Sequence, residues 1–142
     1  MRSSDEGLKS EALQKALAAA LAGKPAQLED LFCRHGCGPE PRPNLRLAAA
    51  FGTEIGAFPG AAAPLLSRLG GDDAAPDTAQ VFLPIAAAYG WVARLRAGRD
   101  VDQAWDALCP LAADERGPVR VGTRDALLTF AQQPRGASSL IA

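Results

Sequence analysis

The chain predicts an all-α fold, a short α-solenoid of about seven helices. Three observations predict it. Hydrophobic residues make up 48% of the chain and aromatics only 6%, with alanine, the best helix former, prominent. No alternating run of Val, Ile, Thr and Tyr is long enough to read as a strand. Two segments nearly repeat each other, Leu45-Arg-Leu-Ala-Ala-Ala-Phe-Gly52 and Leu83-Pro-Ile-Ala-Ala-Ala-Tyr-Gly90, at an offset of 38 residues (45 to 83). A weaker third copy, Val119 to Ala126, starts 36 residues further on (83 to 119). A period in the range of roughly 20–50 residues points to stacked supersecondary units.

The elements follow in order. Residues 8–22 form a first helix, with Leu13, Leu17 and Leu21 four apart on one face and Gly23 as the stop. Pro25 suits the first turn of a second helix, striped by Leu28, Leu31 and Phe32. Gly36 to Pro43 is too rich in glycine and proline to be helical. Asn44 caps a third helix running to about Ala57, with Leu45, Ala48, Gly52 and Ile55 on one face. Pro59 marks a fourth, carrying Ala62, Leu65, Leu66 and Leu69.

Asp77-Thr-Ala-Gln80 has the spacing of a capping box. The helix after it is apolar on too many sides for a one-sided amphipath, which places it at the centre. Pro84 either kinks it or marks its true start. Gly98 ends it, and Asp100-Val-Asp-Gln103 is a second capping-box candidate. Val101, Ala104, Trp105, Leu108, Leu111 and Ala112 then recur at helical steps, and Cys109 beside them reads as core. Gly117-Pro118 breaks the chain before a last helix over about 118–132. The whole, residues 1–142, reads as one domain with loose tails at 1–7 and 134–142. Three helix pairs and an orphan, recurring every 36–38 residues, define the solenoid.

Charge narrows the partners. The 15 basic and 16 acidic residues nearly cancel, so nothing favours nucleic acid or an anionic membrane surface. No apolar stretch is long enough to span a bilayer. Three cysteines fit a reducing compartment better than a disulfide framework, and a cytoplasmic location is expected.

The two repeated segments, the Pro84 position and the run Pro118-Val-Arg-Val-Gly-Thr-Arg-Asp-Ala-Leu127 resemble HEAT-like helical repeats of the bacterial type. The last run is similar to the HEAT pattern of a Val-Arg pair, small residues, then Ala-Leu. The resemblance covers roughly residues 40–132; the first helix pair fits poorly, and the Asp that many units carry between helices is missing. It implies right-handed stacking of antiparallel helix pairs. The second helices would line a concave surface that binds another macromolecule.

Several constellations are candidates for chemistry. Cys33, His35 and Cys37 gather soft ligands suited to zinc or copper(I), or a small disulfide. A structural zinc site wants four ligands, and no second pair is present, so no metal or other cofactor is expected. His35, Arg42 and Asn44 could line a polar pocket at the same loop; the plainer account is a solvated turn with Asn44 as a cap. Arg94, Arg96 and Arg99 complement a helix C-terminus, and the aspartates of the latter half sit as caps and on solvated faces. Arg120 and Arg124 share a face of the last helix and suit phosphate or carboxylate. Residues 99–116 hold two arginines against five acidic residues, unlike the basic second helices of DNA-binding HEAT-like glycosylases.

The expectation is a non-enzymatic scaffold or adaptor that binds another protein. The site would lie along the second helices or on the last helix, where Val121, Leu127 and Phe130 lack a covering partner. Self-association through that helix, or chain continuing beyond Ala142, would also cover it. A small-molecule or metal-binding accessory domain built on the 33–44 loop is the alternative, and a DNA-binding HEAT-like domain is third.

Overall fold

Helix boundaries follow local chemistry at most of the expected positions. In the computed structural model, which describes residues 2–36, 43–75 and 77–132 and the side chains of 11–36, 43–75 and 77–131, seven α-helices form and no strand is found. The first, α1 (Arg2–Leu21), begins earlier than the apolar pattern suggested, because residues 2–7 contain nothing apolar for periodicity to register. Gly23 ends it at φ +97°, letting the Lys24 N–H reach the Ala19 carbonyl at 2.9 Å. Pro25 caps α2 (Ala26–His35). Asn44 caps α3 (Leu45–Ala57): the Leu47 N–H donates to its Oδ1 at 3.1 Å. The Asn44 amide also donates to the His35 carbonyl at 3.0 Å, tying the end of α2 to the start of α3.

Three later boundaries differ from the sequence reading, each for a physical reason. The fourth helix, α4 (Ala63–Gly70), starts beyond Pro59, because the carbonyls of Phe58 and Gly60 are engaged by Arg94 and that of Pro59 by Arg99, both from the 94–99 stretch of the chain. A short 3-10 turn, Ala79–Val81, precedes α5 (Phe82–Arg96), and no side-chain cap forms at either start. The Asp77 capping box is therefore not made. Pro84 lies in the first turn of α5, where a missing N–H costs nothing. Asp100, left-handed at φ 51°, does not cap α6 (Val101–Ala112), because its carboxylate is held by Arg94. The chain turns through 113–116 into α7 (Gly117–Gln132). The expected loose segment from 134 lies outside the described residues.

The central helix is α5, as its all-round apolarity required. It packs against α2, α3, α4, α6 and α7, and every residue from Phe82 to Val92 is buried. Each large side chain buried there contributes on the order of 1.5–3 kcal/mol. Phe32 of α2 meets Phe51 and Phe82 edge to face, with centroids 5.1 and 5.3 Å away.

Small residues set the helix spacing. A Cβ on Gly52 would lie 3.0 Å from the Tyr89 carbonyl oxygen, and one on Gly56 would lie 2.9 Å from the Ala93 Cβ. A Cβ on Gly122 would lie 3.0 Å from the Ile85 side chain. Gly52 thus faces Tyr89 and Gly56 faces Ala93, so α3 and α5 run in the same direction. Gly122 faces Ile85 and Asp125 faces Tyr89, so α7 also runs with α5. The result is a row of three parallel helices, α3, α5 and α7, whose facing positions differ by nearly the sequence repeat. Gly90 of α5 faces Leu66, and Gly70 faces Ala87, so α4 runs antiparallel behind the row.

Two arginines lock the loops. Arg94, in the last turn of α5 and 2% exposed, donates to the carbonyls of Ile55 (2.9 Å), Phe58 (2.6 Å) and Gly60 (2.9 Å). It also pairs with the Asp100 carboxylate at 3.0 Å. It is therefore more than the dipole-complementing surface cation that its position in the sequence suggested. Arg116 repeats the device between the next loops. It donates to the carbonyls of Asp72 (2.9 Å) and Ala74 (3.0 Å) and pairs with Asp114 at 3.0 Å.

Two outcomes follow. Arg94→Met leaves the Phe58 and Gly60 carbonyls and the Asp100 carboxylate without this donor. It should cost about 3 kcal/mol in urea unfolding, the lower end of the range for broken buried pairs because Asp100 keeps some solvent. A loss below about 1 kcal/mol would show the clamp to be incidental. The Arg116 hydrogen bond holds the Asp114 carboxyl below its ordinary 3.8. Asp114 therefore stabilises the fold fully above that value, and the contribution is lost as pH falls through the lower folded value. Asp114→Asn should destabilise the protein at about pH 7, and the penalty should shrink as pH falls progressively below 3.8; a penalty that does not change with pH would contradict the pairing.

Candidate functional site

The three-helix row leaves a groove of about 580 Å³ along its outer side. From α3 it is lined by Leu45, Arg46, Ala49, Gly52, Thr53 and Gly56. From α5 come Tyr89, Val92, Ala93, Arg96 and Ala97, and from α7 Asp125, Ala126 and Thr129. The small residues that let the helices approach also leave the groove open. Thr53 and Thr129 donate their hydroxyls back to the Ala49 and Asp125 carbonyls of their own helices, at 3.1 and 3.0 Å. Among the described residues, that leaves three charged groups to set the groove's polarity, Arg46, Arg96 and Asp125.

Asp125 lies on the floor, half-buried, and its Oδ2 accepts a hydrogen bond from the Tyr89 hydroxyl. Burial, reinforced by that bond to a carboxylate, holds the Tyr89 hydroxyl well above its ordinary value of 10.0. Tyr89 is thus a fixed donor, and the Asp125 Oδ1 has no donor among the described residues. Arg46 and Arg96 are exposed on the rim and make no ion pair or hydrogen bond among the described residues. A second hollow of about 270 Å³ lies between the turn after α1 and the start of α4, beside Arg68, which is tied to Glu29 at 2.7 Å.

The residues singled out from sequence are dispersed. Asn44 is committed on both sides to helix capping. The His35 ring is exposed, Cys33 is half-buried, and Arg42 and Cys37 lie outside the described residues. Among the described residues, no three His, Cys, Asp or Glu side chains are placed to hold a metal ion. Arg120 donates to the Asp114 carbonyl at 3.0 Å, whereas Arg124 points to solvent with no polar partner among the described residues.

Two core assignments reverse. Phe130 is buried, its ring against Trp105 edge to face at 6.3 Å, so it is not a docking residue. The exposed apolar side chains of α7 are Val121 and Leu128. Cys109 is exposed, because the inward face of α6 is set by Ala104, Leu108 and Leu111, and residue 109 is turned about 100° away.

The sequence reading missed the groove, though a signal for it existed. Tyr89 and Asp125 both occupy the seventh position of their repeat copies, 36 residues apart. Aligned positions of successive repeat copies meet side by side, so complementary side chains one repeat apart mark a contact between neighbouring helices.

The fold and groove define an all-α protein with an open cleft across three parallel helices, lined mostly by small residues and carrying the Asp125 carboxylate. No protein-family model, curated protein sequence or solved structure matches the chain. No helix among the described residues is long and apolar enough to cross a membrane.

Tyr89 is the only tyrosine, which isolates its titration. In the folded protein, near-ultraviolet absorbance should show it still un-ionised at pH 10.0, and denaturant should restore ordinary ionisation. Because burial, and after it the bond to Asp125, favours the neutral hydroxyl, the contribution of Tyr89 to the fold is fully present below pH 10.0 and is lost as pH rises through the folded value. Half-ionisation of the folded protein near pH 10.0 would show that the pair does not form.

Proposed function

We propose that this chain is a non-catalytic binding module, a short HEAT-like α-solenoid that holds a segment of another protein in the α3–α5–α7 groove. The observation that carries this reading is the groove itself. It is open along its length and floored by alanine and glycine, so that another backbone can come close. Two arginines with no polar partner among the described residues stand at its rim. Recognition of a helix in a groove uses this combination of apolar contact and flanking charge. The parallel row, with facing positions nearly one repeat apart, supports the solenoid reading.

The site differs from the one the family resemblance implied. That resemblance pointed to the second helices, α4 and α6, whereas the groove is formed by the first helices and α7. The odd cysteine count, with Cys109 exposed, supports a reducing and hence cytoplasmic setting. The small-molecule alternative at residues 33–44 loses Asn44 to capping, and a DNA-binding role has no basic excess to support it.

A peptide-display library selected on the intact chain tests the reading. Enriched peptides should bind with a dissociation constant of order 100 μM or better. In two-dimensional NMR they should shift the amides of Ala49, Thr53, Ala93 and Thr129. Enriched peptides that instead perturb α4 and α6, or a library that yields no binder, would overturn it.

A further inference from the structure

We infer that the occupant of the groove is an amphipathic α-helix carrying acidic residues at both ends of a two-heptad stretch and a Lys or Arg midway. The inference rests on the groove reading above and adds the partner's charge pattern. It comes from how the three charged groups are spaced.

Because α3 and α5 run the same way, residues on both can be placed along one axis. Gly52 and Asp125 both lie beside Tyr89, which sets a common level in the middle of the groove. Arg46 is six residues before Gly52 on α3, so it stands about 9 Å toward the start of the row. Arg96 is seven residues after Tyr89 on α5, about 10 Å toward the other end. Measured along the row's axis, the groove therefore reads plus, minus, plus at nearly even steps, with Arg46 on α3, Asp125 on α7 and Arg96 on α5 between them.

Each of the three has bonding capacity to spare. Arg46 and Arg96 are exposed without a polar partner among the described residues, and the Asp125 carboxylate keeps Oδ1 open beside the Tyr89 bond. An interval of about 10 Å is close to seven residues of α-helix. The complementary ligand thus carries Glu or Asp, then Lys or Arg, then Glu or Asp at heptad steps on one face. Alanine-sized or leucine-sized residues between them would meet Ala49, Gly52 and Ala93. A short floor of small residues suits a helix laid along the row, since its side chains supply the bulk that the groove lacks.

The test uses two synthetic helix-stabilised peptides with the same apolar residues, one acidic–basic–acidic and the other basic–acidic–basic. Their binding to the wild-type chain and to the double variant Arg46→Glu with Arg96→Glu is measured by fluorescence anisotropy, with circular dichroism confirming that the variant folds. The first peptide should bind the wild type about tenfold more tightly than the second, and the double variant should reverse that preference. Arg46→Gln with Arg96→Gln should weaken the first peptide without favouring the second.

Equal binding of both peptides in the groove would overturn the charge pattern and leave the groove reading standing. Failure of both, alongside library peptides that do bind there, would overturn the helical occupant alone. Failure of both with no library binder would overturn the two readings together.

Discussion

Arg94 sits in the last turn of α5 with its guanidinium removed from solvent, and much of the structure depends on that placement. A buried cation without partners would be untenable. This one is satisfied by three carbonyls from the end of α3 and the following loop and by the Asp100 carboxylate. The guanidinium fork suits the task, because it presents several fixed donors and cannot lose its charge. One side chain thereby sets where α3 ends, why residues 58–60 are not helical and how the turn into α6 is shaped. It also pins α3 to α5 at the end of the row where Gly56 meets Ala93.

The groove is a consequence of that pinning together with the glycines. Close approach of parallel helices normally leaves a shallow seam. Here the positions facing outward along the seam are mostly alanine, glycine and threonine, so the seam widens into a cleft. The Tyr89–Asp125 pair holds α7 to α5 from within and gives the cleft its one carboxylate among the described residues. Arg116 does for the 72–74 and 113–116 loops what Arg94 does for the preceding pair, so the same device recurs one unit along.

Features controlled by local chemistry were legible in the sequence. Asn44 as a cap, Gly23 and Gly98 as helix stops, and α5 as the central helix follow from side-chain and backbone preferences that act over a few residues. The Asp100 capping box failed for a non-local reason: its carboxylate had a better partner in Arg94. Arg94 itself looked like a dipole-complementing cation and no more, since nothing within its own helix shows that carbonyls from α3 converge on it. Phe130 looked uncovered because Trp105, which covers it, lies on another helix. The candidate site was the least legible part. It is made of small residues whose chemistry is inconspicuous, and only the repeat spacing of Tyr89 and Asp125 pointed to it.

The central claim is that the Arg94 clamp maintains the helix spacing that makes the groove. Spin labels on Thr53→Cys and Thr129→Cys, one on each wall, report that spacing in a chain whose Cys33, Cys37 and Cys109 are replaced by serine. Pulsed electron–electron resonance should give one narrow distance distribution with Arg94 present. With Arg94→Met, under conditions where the chain remains folded, the distribution should broaden and shift. The same narrow distribution in both would show that the groove does not depend on the clamp.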